Sequence, residues 1–258
     1  MKITQVRNAT LKIEYAGLSF LIDPMLSEKG SWEGFPDTPR SDMRNPLVDL
    51  PMPLEEILRT DIIIVTHTHI DHWDDAASRL IDKQQLIFTQ NEMDATLLRS
   101  QHFTNVRVLE ETTNIFGITI VKTQGQHGSD VAYEIPEVAA VLGAACGLIF
   151  KHQLEKTLYI AGDTVWVQSV SDSLNNHRPD VVILNAGFAN INGLGAIIMG
   201  KEDFVRTHNL LPDAVLIASH MEAVNHCILS REELRMYCSE QGLSKHVQIP
   251  QDGETLSF

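Results

Sequence analysis

Cysteine is scarce in this chain. Cys146, Cys227 and Cys238 stand far apart among 258 residues, so they form neither an even disulfide framework nor a Cys-x-x-Cys pair. They read as buried free thiols in a reducing compartment. Positive charge is also short. Twenty Lys and Arg face 34 Asp and Glu, a formal net charge of −14, and the pI is near 5.1. That balance disfavours a nucleic-acid partner, because such binders displace counterions with basic surface. No apolar run approaches the roughly 20 residues that cross a bilayer. The opening Met1-Lys2-Ile3-Thr4-Gln5 lacks the apolar core and cleavage site of a secretory signal. The expectation is a soluble cytoplasmic protein with no membrane partner. Gly-Lys-Ser/Thr is absent, so a phosphate-cradling loop is not expected. No Ser, His and Asp arrangement for covalent catalysis is visible.

Histidine, by contrast, is plentiful, with eleven residues, and several are concentrated in one stretch. Asp61-Ile62-Ile63-Ile64-Val65 reads as a buried strand, apolar and rich in β-branched residues. It runs into Thr66-His67-Thr68-His69-Ile70-Asp71-His72-Trp73-Asp74, and Asp74-Asp75-Ala76-Ala77 then reads as a capped helix start. Three imidazoles and a carboxylate therefore sit on a turn held by a rigid element. These are side chains that a divalent ion accepts. His67 and His69, two apart in extended chain, can point the same way, and Asp71 and His72 can turn toward a second ion.

Apolar residues make up 43% of the chain, ample for a packed core, and no linker divides residues 1–258, which read as a single domain. Lys2–Val6, Thr10–Tyr15 and Leu18–Ile22 read as strands, the last two joined by an Ala16-Gly17 turn. Asp23-Pro24 follows. Residues 24–53 hold six of the ten prolines and read as a long irregular loop beside the site, with Trp32 and Phe35 as candidate substrate contacts. Beyond the histidine stretch, helices at Asp74–Lys83 and Asn91–Ser100 alternate with strands at Leu86–Thr89 and Val106–Leu109. This is an α/β pattern. Further strands are expected at Ile118–Lys122, Ala144–Phe150, Thr157–Ala161, Val181–Leu184 and Ala214–Ala218. Helices are expected at Val170–His177 and Lys201–Leu211, and from the Ser230 capping box to about Gln241. Gly187–Gly200 reads as a largely apolar loop near the site. A faint echo links Asp61–His67 to Ala214–His220, each a buried strand ending in a histidine.

Strand ends select the ligand candidates, because α/β folds build their sites there. His67, His69, His72, His127 and His220 qualify, with Asp71 and Asp163 beside them. The run His67-Thr68-His69-Ile70-Asp71-His72 resembles the His-x-His-x-Asp-His signature of the metallo-β-lactamase superfamily, and the resemblance extends from Asp23 to Gly253. It implies an αββα sandwich of two mixed β-sheets flanked by helices. It implies two zinc ions, with Mn or Fe as alternatives. His67, His69 and His127 are similar to one ion's ligands, Asp71, His72 and His220 to the other's, and Asp163 to the carboxylate between them. An Asp in the place of Asp23 supports the metal loop from behind in that family; a turn-capping role is the other reading.

The activity implied is that of a hydrolase that directs a metal-bound hydroxide at a small electrophile, with Asp71, Asp163 and His226 as candidates for moving protons. Gly162-Asp163-Thr164 and Ser219-His220-Met221-Glu222-Ala223-Val224-Asn225-His226 look similar to runs in bacterial isothiocyanate hydrolases. Trp32, Phe35, Trp166, Phe188 and Met199 are apolar lining candidates that suit such a substrate. A lactonase or phosphoesterase of the ascorbate-phosphate lactonase type is the alternative, with Arg7, Arg40 and Arg44 as possible phosphate contacts. A di-iron oxidoreductase is the other. Superfamily habit suggests a homodimer.

Overall fold

The computed structural model describes residues 1–258. Two seven-stranded sheets face each other. The first runs, edge to edge, through Thr255–Ser257, Lys2–Arg7, Thr10–Tyr15, Leu18–Ile22, Ile62–Val65, Leu86–Thr89 and Val106–Val108. The second runs through Val247–Gln248, Val215–Ser219, Val181–Asn185, Leu158–Ile160, Cys146–Lys151, Ile118–Gln124 and Thr112–Ile115. Each sheet has three antiparallel pairings on one side and three parallel pairings on the other.

Strand periodicity produces the layers. Successive side chains point to opposite faces, so Ile62 and Ile64 enter the core between the sheets while Ile63 and Val65 face outward. Val181 and Ile183 face the same inner core, and Val182 and Leu184 the opposite way. Leu54–Leu58, Asp75–Leu80 and Glu92–Ser100 are helices, and Ile57, Ala77 and Leu98 from them cover the outer face of the first sheet. Gln168–His177, Lys201–Leu210 and Arg231–Glu240 cover the second through Leu174, Phe204 and Leu234. The result is an αββα sandwich of the metallo-β-lactamase type. No helix is long and apolar enough to cross a membrane.

Helix starts follow local capping. Asp74, Asn91 and Ser230 lie just outside their helices and accept backbone N–H bonds from Ala77, Asp94 and Glu233. Such caps satisfy donors that the first turn leaves open. At Ala16-Gly17 both residues take positive φ, as a tight two-residue hairpin requires.

Some elements differ from expectation. Thr112–Ile115 is a strand, hidden in the sequence by its polar residues at a sheet edge. Asp130–Tyr133 and Pro136–Leu142 are short helices where none was expected. Gly187–Gly200 contains a small hairpin of Asn190–Ile191 and Gly195–Ala196. The echo between Asp61–His67 and Ala214–His220 does not mark equivalent positions. Counting from the antiparallel edges, Ile62–Val65 is fifth in its sheet and Val215–Ser219 is sixth; the fifth strand of the second sheet is Val181–Asn185.

Phe150 closes the centre of the sandwich. Its ring meets Tyr15 at 5.7 Å and Phe20 at 5.2 Å, both edge-on, and it is fully buried. Phe150→Ala is expected to lower unfolding stability by about 3–5 kcal/mol through the cavity it leaves. Phe116→Ala, at an exposed hairpin tip, should change it by less than about 0.5 kcal/mol. Chemical denaturation of both variants checks this.

Candidate metal centre

One edge of the sandwich gathers the strand ends. His67 follows Ile62–Val65, His127 follows Ile118–Gln124, Asp163 follows Leu158–Ile160, and His220 follows Val215–Ser219. Two tight contacts fix the chain here. Gly162 has φ +70°, and a Cβ would lie 2.3 Å from the Cys146 carbonyl oxygen. A Cβ on Gly187 would lie 2.1 Å from the His220 carbonyl oxygen. Only glycine fits either place. Asn8, Asp23, His220 and Glu222 also hold positive φ, which is costly for residues with a Cβ and is tolerated where surrounding bonds impose it.

The seven expected side chains converge. Asp163 Oδ2 lies 3.1 Å from His72 Nε2 and 3.6 Å from both His127 Nε2 and His220 Nε2. It is 3.9 Å from His67 Nε2. Asp71 Oδ2 is 3.2 Å from His220 Nε2. His69 Nδ1 faces His127 Nε2 at 3.2 Å, and His72 Nε2 faces His220 Nε2 at the same distance. Three groups have donor atoms close enough to share an ion: His67, His69 and His127; His67, His72 and Asp163; Asp71, His72 and His220.

The far nitrogens of these rings are occupied. His69 Nε2–H donates to the Val141 carbonyl at 2.8 Å, His127 Nδ1–H to Ile197 at 2.9 Å, and His72 Nδ1–H to Asp23 Oδ2 at 2.8 Å. At His69 and His127 the bond fixes a tautomer and leaves the inward nitrogen as a lone pair; at His72 it holds the outer N–H, so the inward nitrogen is the one that must lose its proton to an ion. In the neutral rings, two lone pairs then face each other at 3.2 Å between His69 and His127, an arrangement that a shared cation relieves. His67 Nε2 is buried with no hydrogen-bond partner, although unpartnered buried polar atoms are rare. The donor set and these orphaned nitrogens fit divalent ions.

Three side chains that the sequence left unassigned complete the support. Asn185 donates to Asp163 Oδ1 at 2.7 Å. Asn8 donates to the Asp71 carbonyl at 3.0 Å. Cys227 Sγ lies 3.3 Å from His220 Nδ1. Asn185 ends a buried strand, so the strand-end rule that selected the histidines would have found it. Asp23 accepts from the Thr66 amide and hydroxyl, each at 2.7 Å, as well as from His72. Of its two possible roles, it supports the histidine loop.

The electrostatics suit ligation. Burial, then neighbouring imidazoles, holds His67 well below its usual range, and burial brings His127 down to about 4. Both are therefore neutral, as a ligand must be. Burial also opposes charge on His72, but Asp163, Asp23 and Asp71 outweigh it and push the ring up to about 10. Burial works against the Asp71 and Asp163 carboxylates as well, and the imidazoles overcome it, keeping both well below the usual carboxylate range.

Beside the cluster lies a cavity of about 660 Å³. His69, Asp71, His127, Asp163 and His226 reach it from the site side. Its apolar walls come from the long loop through Phe35, from helix Pro136–Leu142 through Val138 and Leu142, and from the small hairpin region through Ile191 and Leu194. Four of the five expected apolar contacts lie elsewhere. Trp32 packs on Phe35 but lines a neighbouring groove with Leu26 and Leu54. Trp166 packs in the outer layer of the second sheet, where the Arg206 guanidinium stacks over its ring at 5.8 Å. Phe188 folds over Gly200, and Met199 is buried in that same outer layer. Only Phe35 of the five lines the cavity.

The beta-lactamase superfamily domain matches residues 19–221, and with this fold the chain belongs to the metallo-β-lactamase superfamily. Its relatives are also close at full length. The UPF0173 protein YddR of Bacillus subtilis (strain 168) is 47% identical over 259 residues, covering 100% of both chains. The crystal structure of an isothiocyanate hydrolase from Delia radicum gut bacteria is 53% identical, with a TM-score of 0.99 over 100% of this chain and 99% of that one. A possible metal-dependent hydrolase from Veillonella parvula DSM 2008 is 41% identical, with a TM-score of 0.98 and the same coverage. The chain is a metal-dependent hydrolase.

Two outcomes follow. A proton held on His72 competes with an ion, so divalent-metal affinity should rise between pH 6 and pH 8 with proton release on binding; calorimetry in buffers of different ionisation enthalpy measures both. Asp23→Ala removes the acceptor that orients His72 and should weaken metal affinity by about 10- to 100-fold, as read by competition with a chromogenic chelator.

Proposed function

We propose that the protein hydrolyses a small, neutral isothiocyanate to a primary amine and carbonyl sulfide, using two divalent ions, zinc first among them. His67, His69 and His127 would hold one ion and Asp71, His72 and His220 the other, with Asp163 between them. The observation that carries this reading is the lining of the cavity. Its walls are apolar, and its polar groups are imidazole, carboxylate, hydroxyl and amide, with no lysine or arginine. The arginines considered for a phosphate are spent on backbone oxygens. Arg7 donates to Met25, Ser27 and Val48, Arg40 to Asn225 and Cys227, and Arg44 to Gly30 and Ser31. A phosphorylated sugar lactone would meet carboxylates with no basic partner, whereas a neutral aryl-alkyl group would meet apolar walls. The likeness to the isothiocyanate hydrolase, at 53% identity, supports the same substrate class.

When bound, such ions supply Lewis acidity that eases ionisation of water and takes up developing negative charge. The chain's own groups do the rest. The apolar walls hold the organic substituent and exclude water from it. Asn185 keeps Asp163 oriented. A C–O bond forms at the isothiocyanate carbon, and a proton passes from the attacking water to the nitrogen. Asp71, Asp163 and His226 all reach the cavity and are the groups that can carry it. The resulting thiocarbamic acid then gives its remaining O–H or S–H proton to the nitrogen as the C–N bond breaks, releasing the amine and carbonyl sulfide. The reading needs a small-molecule substrate and no macromolecular partner.

The test is the disappearance of 2-phenylethyl isothiocyanate with appearance of carbonyl sulfide. Turnover should stop with a chelator, return with added zinc, and fall at least about 100-fold in Asp71→Ala. A metal-loaded protein that leaves isothiocyanates intact would reject the substrate.

A further inference from the structure

The cavity wall formed by the long loop is tied to the Asn192 amide through the Asp37 carbonyl at 2.8 Å and, with the largest set of bonds, to one residue, Asn225. Asn225 is fully buried, and all the hydrogen-bonding capacity of its side chain is used. Its Oδ1 accepts from the Phe35 amide at 3.0 Å and from Asn45 Nδ2 at 2.8 Å. Its Nδ2 donates to Thr38 Oγ1 at 2.9 Å and to the Pro39 carbonyl at 2.8 Å. Its backbone is held too, the amide donating to Asn45 Oδ1 at 2.8 Å and the carbonyl accepting from Arg40 Nε at 2.9 Å. Thr38 closes a local turn by donating to the Phe35 carbonyl at 2.7 Å. The next residue, His226, meets the Phe35 ring edge-on at 4.4 Å and lines the cavity with it. His226 Nδ1 has no hydrogen-bond partner, so its ring is placed by packing on Phe35 and by the backbone that Asn225 holds.

The geometry points to Asn225 as a positioning residue for the substrate's organic group: it joins Phe35 and His226 into one wall, and that wall sets which substituents fit. A loop rich in proline has few backbone donors, and residues 35–39 have no sheet to join. The four side-chain bonds of Asn225 replace one. Buried polar groups that are fully paired fix a unique arrangement, and partial loss leaves acceptors unpaired. For the choice of substrate, the inference rests on the isothiocyanate reading. For the positioning itself, it does not.

The experiment compares wild type with Asn225→Ala and Thr38→Val, the latter removing one of the four Asn225 side-chain bonds, together with the Thr38–Phe35 turn bond, without emptying the buried centre. Two substrates are used, 2-phenylethyl and methyl isothiocyanate. Loss of the wall should raise KM for the phenylethyl substrate and lower its kcat/KM by about tenfold relative to the methyl substrate, the scale of one aromatic contact. Bound metal should equal that of wild type. Equal losses on both substrates, or no loss, overturn the inference. Amide hydrogen exchange supplies a second readout that needs no turnover. Residues 35–40 should exchange faster in both variants while residues 66–72 keep their protection. Unchanged protection at 35–40 also overturns it. If wild type turns over neither isothiocyanate, the substrate reading fails, and the exchange measurement still decides the positioning role.

Discussion

Two carboxylates, Asp71 and Asp163, are held almost out of water at one edge of a β-sandwich, and much of the structure exists to keep them there. An unpaired buried carboxylate costs several kcal/mol, about the scale of a domain's whole stability. Here imidazoles surround both, and Asn185 and Asn8 supply neutral donors. Asp23 extends the same pattern outward by accepting the hydrogen bond from the far nitrogen of His72. The backbone accommodates this cluster with left-handed turns at Asn8, Asp23 and His220, and glycines accept the closest approaches.

The sandwich explains how so many polar groups can meet. Two sheets with the same sequence of antiparallel and parallel pairings bring their strand ends to one edge. Ile62–Val65, Leu158–Ile160 and Val215–Ser219, which lead into ligands, are anchored on both faces, inward on the shared core and outward under helices. The ligands therefore follow anchored strands, while the cavity is walled by connecting segments: a proline-rich loop, a short helix and a small hairpin. Such a division, with a fixed reacting centre and walls built on connections, lets one fold serve different substrates.

Much of this was legible in the residues, for a physical reason. A β-branched run that ends in His or Asp states both its strand and its place at the sheet end, so Ile62–Val65, Val215–Ser219 and the side chains after them could be read directly. Thr112–Ile115 could not, because an edge strand has no need of an apolar pattern. The helices at Asp130–Tyr133 and Pro136–Leu142 are short and marked only by Ser129 and Pro136 at their starts. Substrate contacts were the least legible. Aromatic identity does not tell whether a ring faces a cavity, a core or solvent: Trp166 and Met199 went to the outer layer, and Phe188 is exposed over Gly200. Asn225 was hidden for the opposite reason: its importance lies in four partners distant in sequence.

The central claim is that the buried carboxylates and imidazoles together hold a pair of divalent ions. Equilibrium dialysis against zinc, with metal and protein counted in the same sample, tests it most directly. The account predicts two tightly held ions per chain. Saturation at one ion, or no retention above that of a protein without such a cluster, would contradict it.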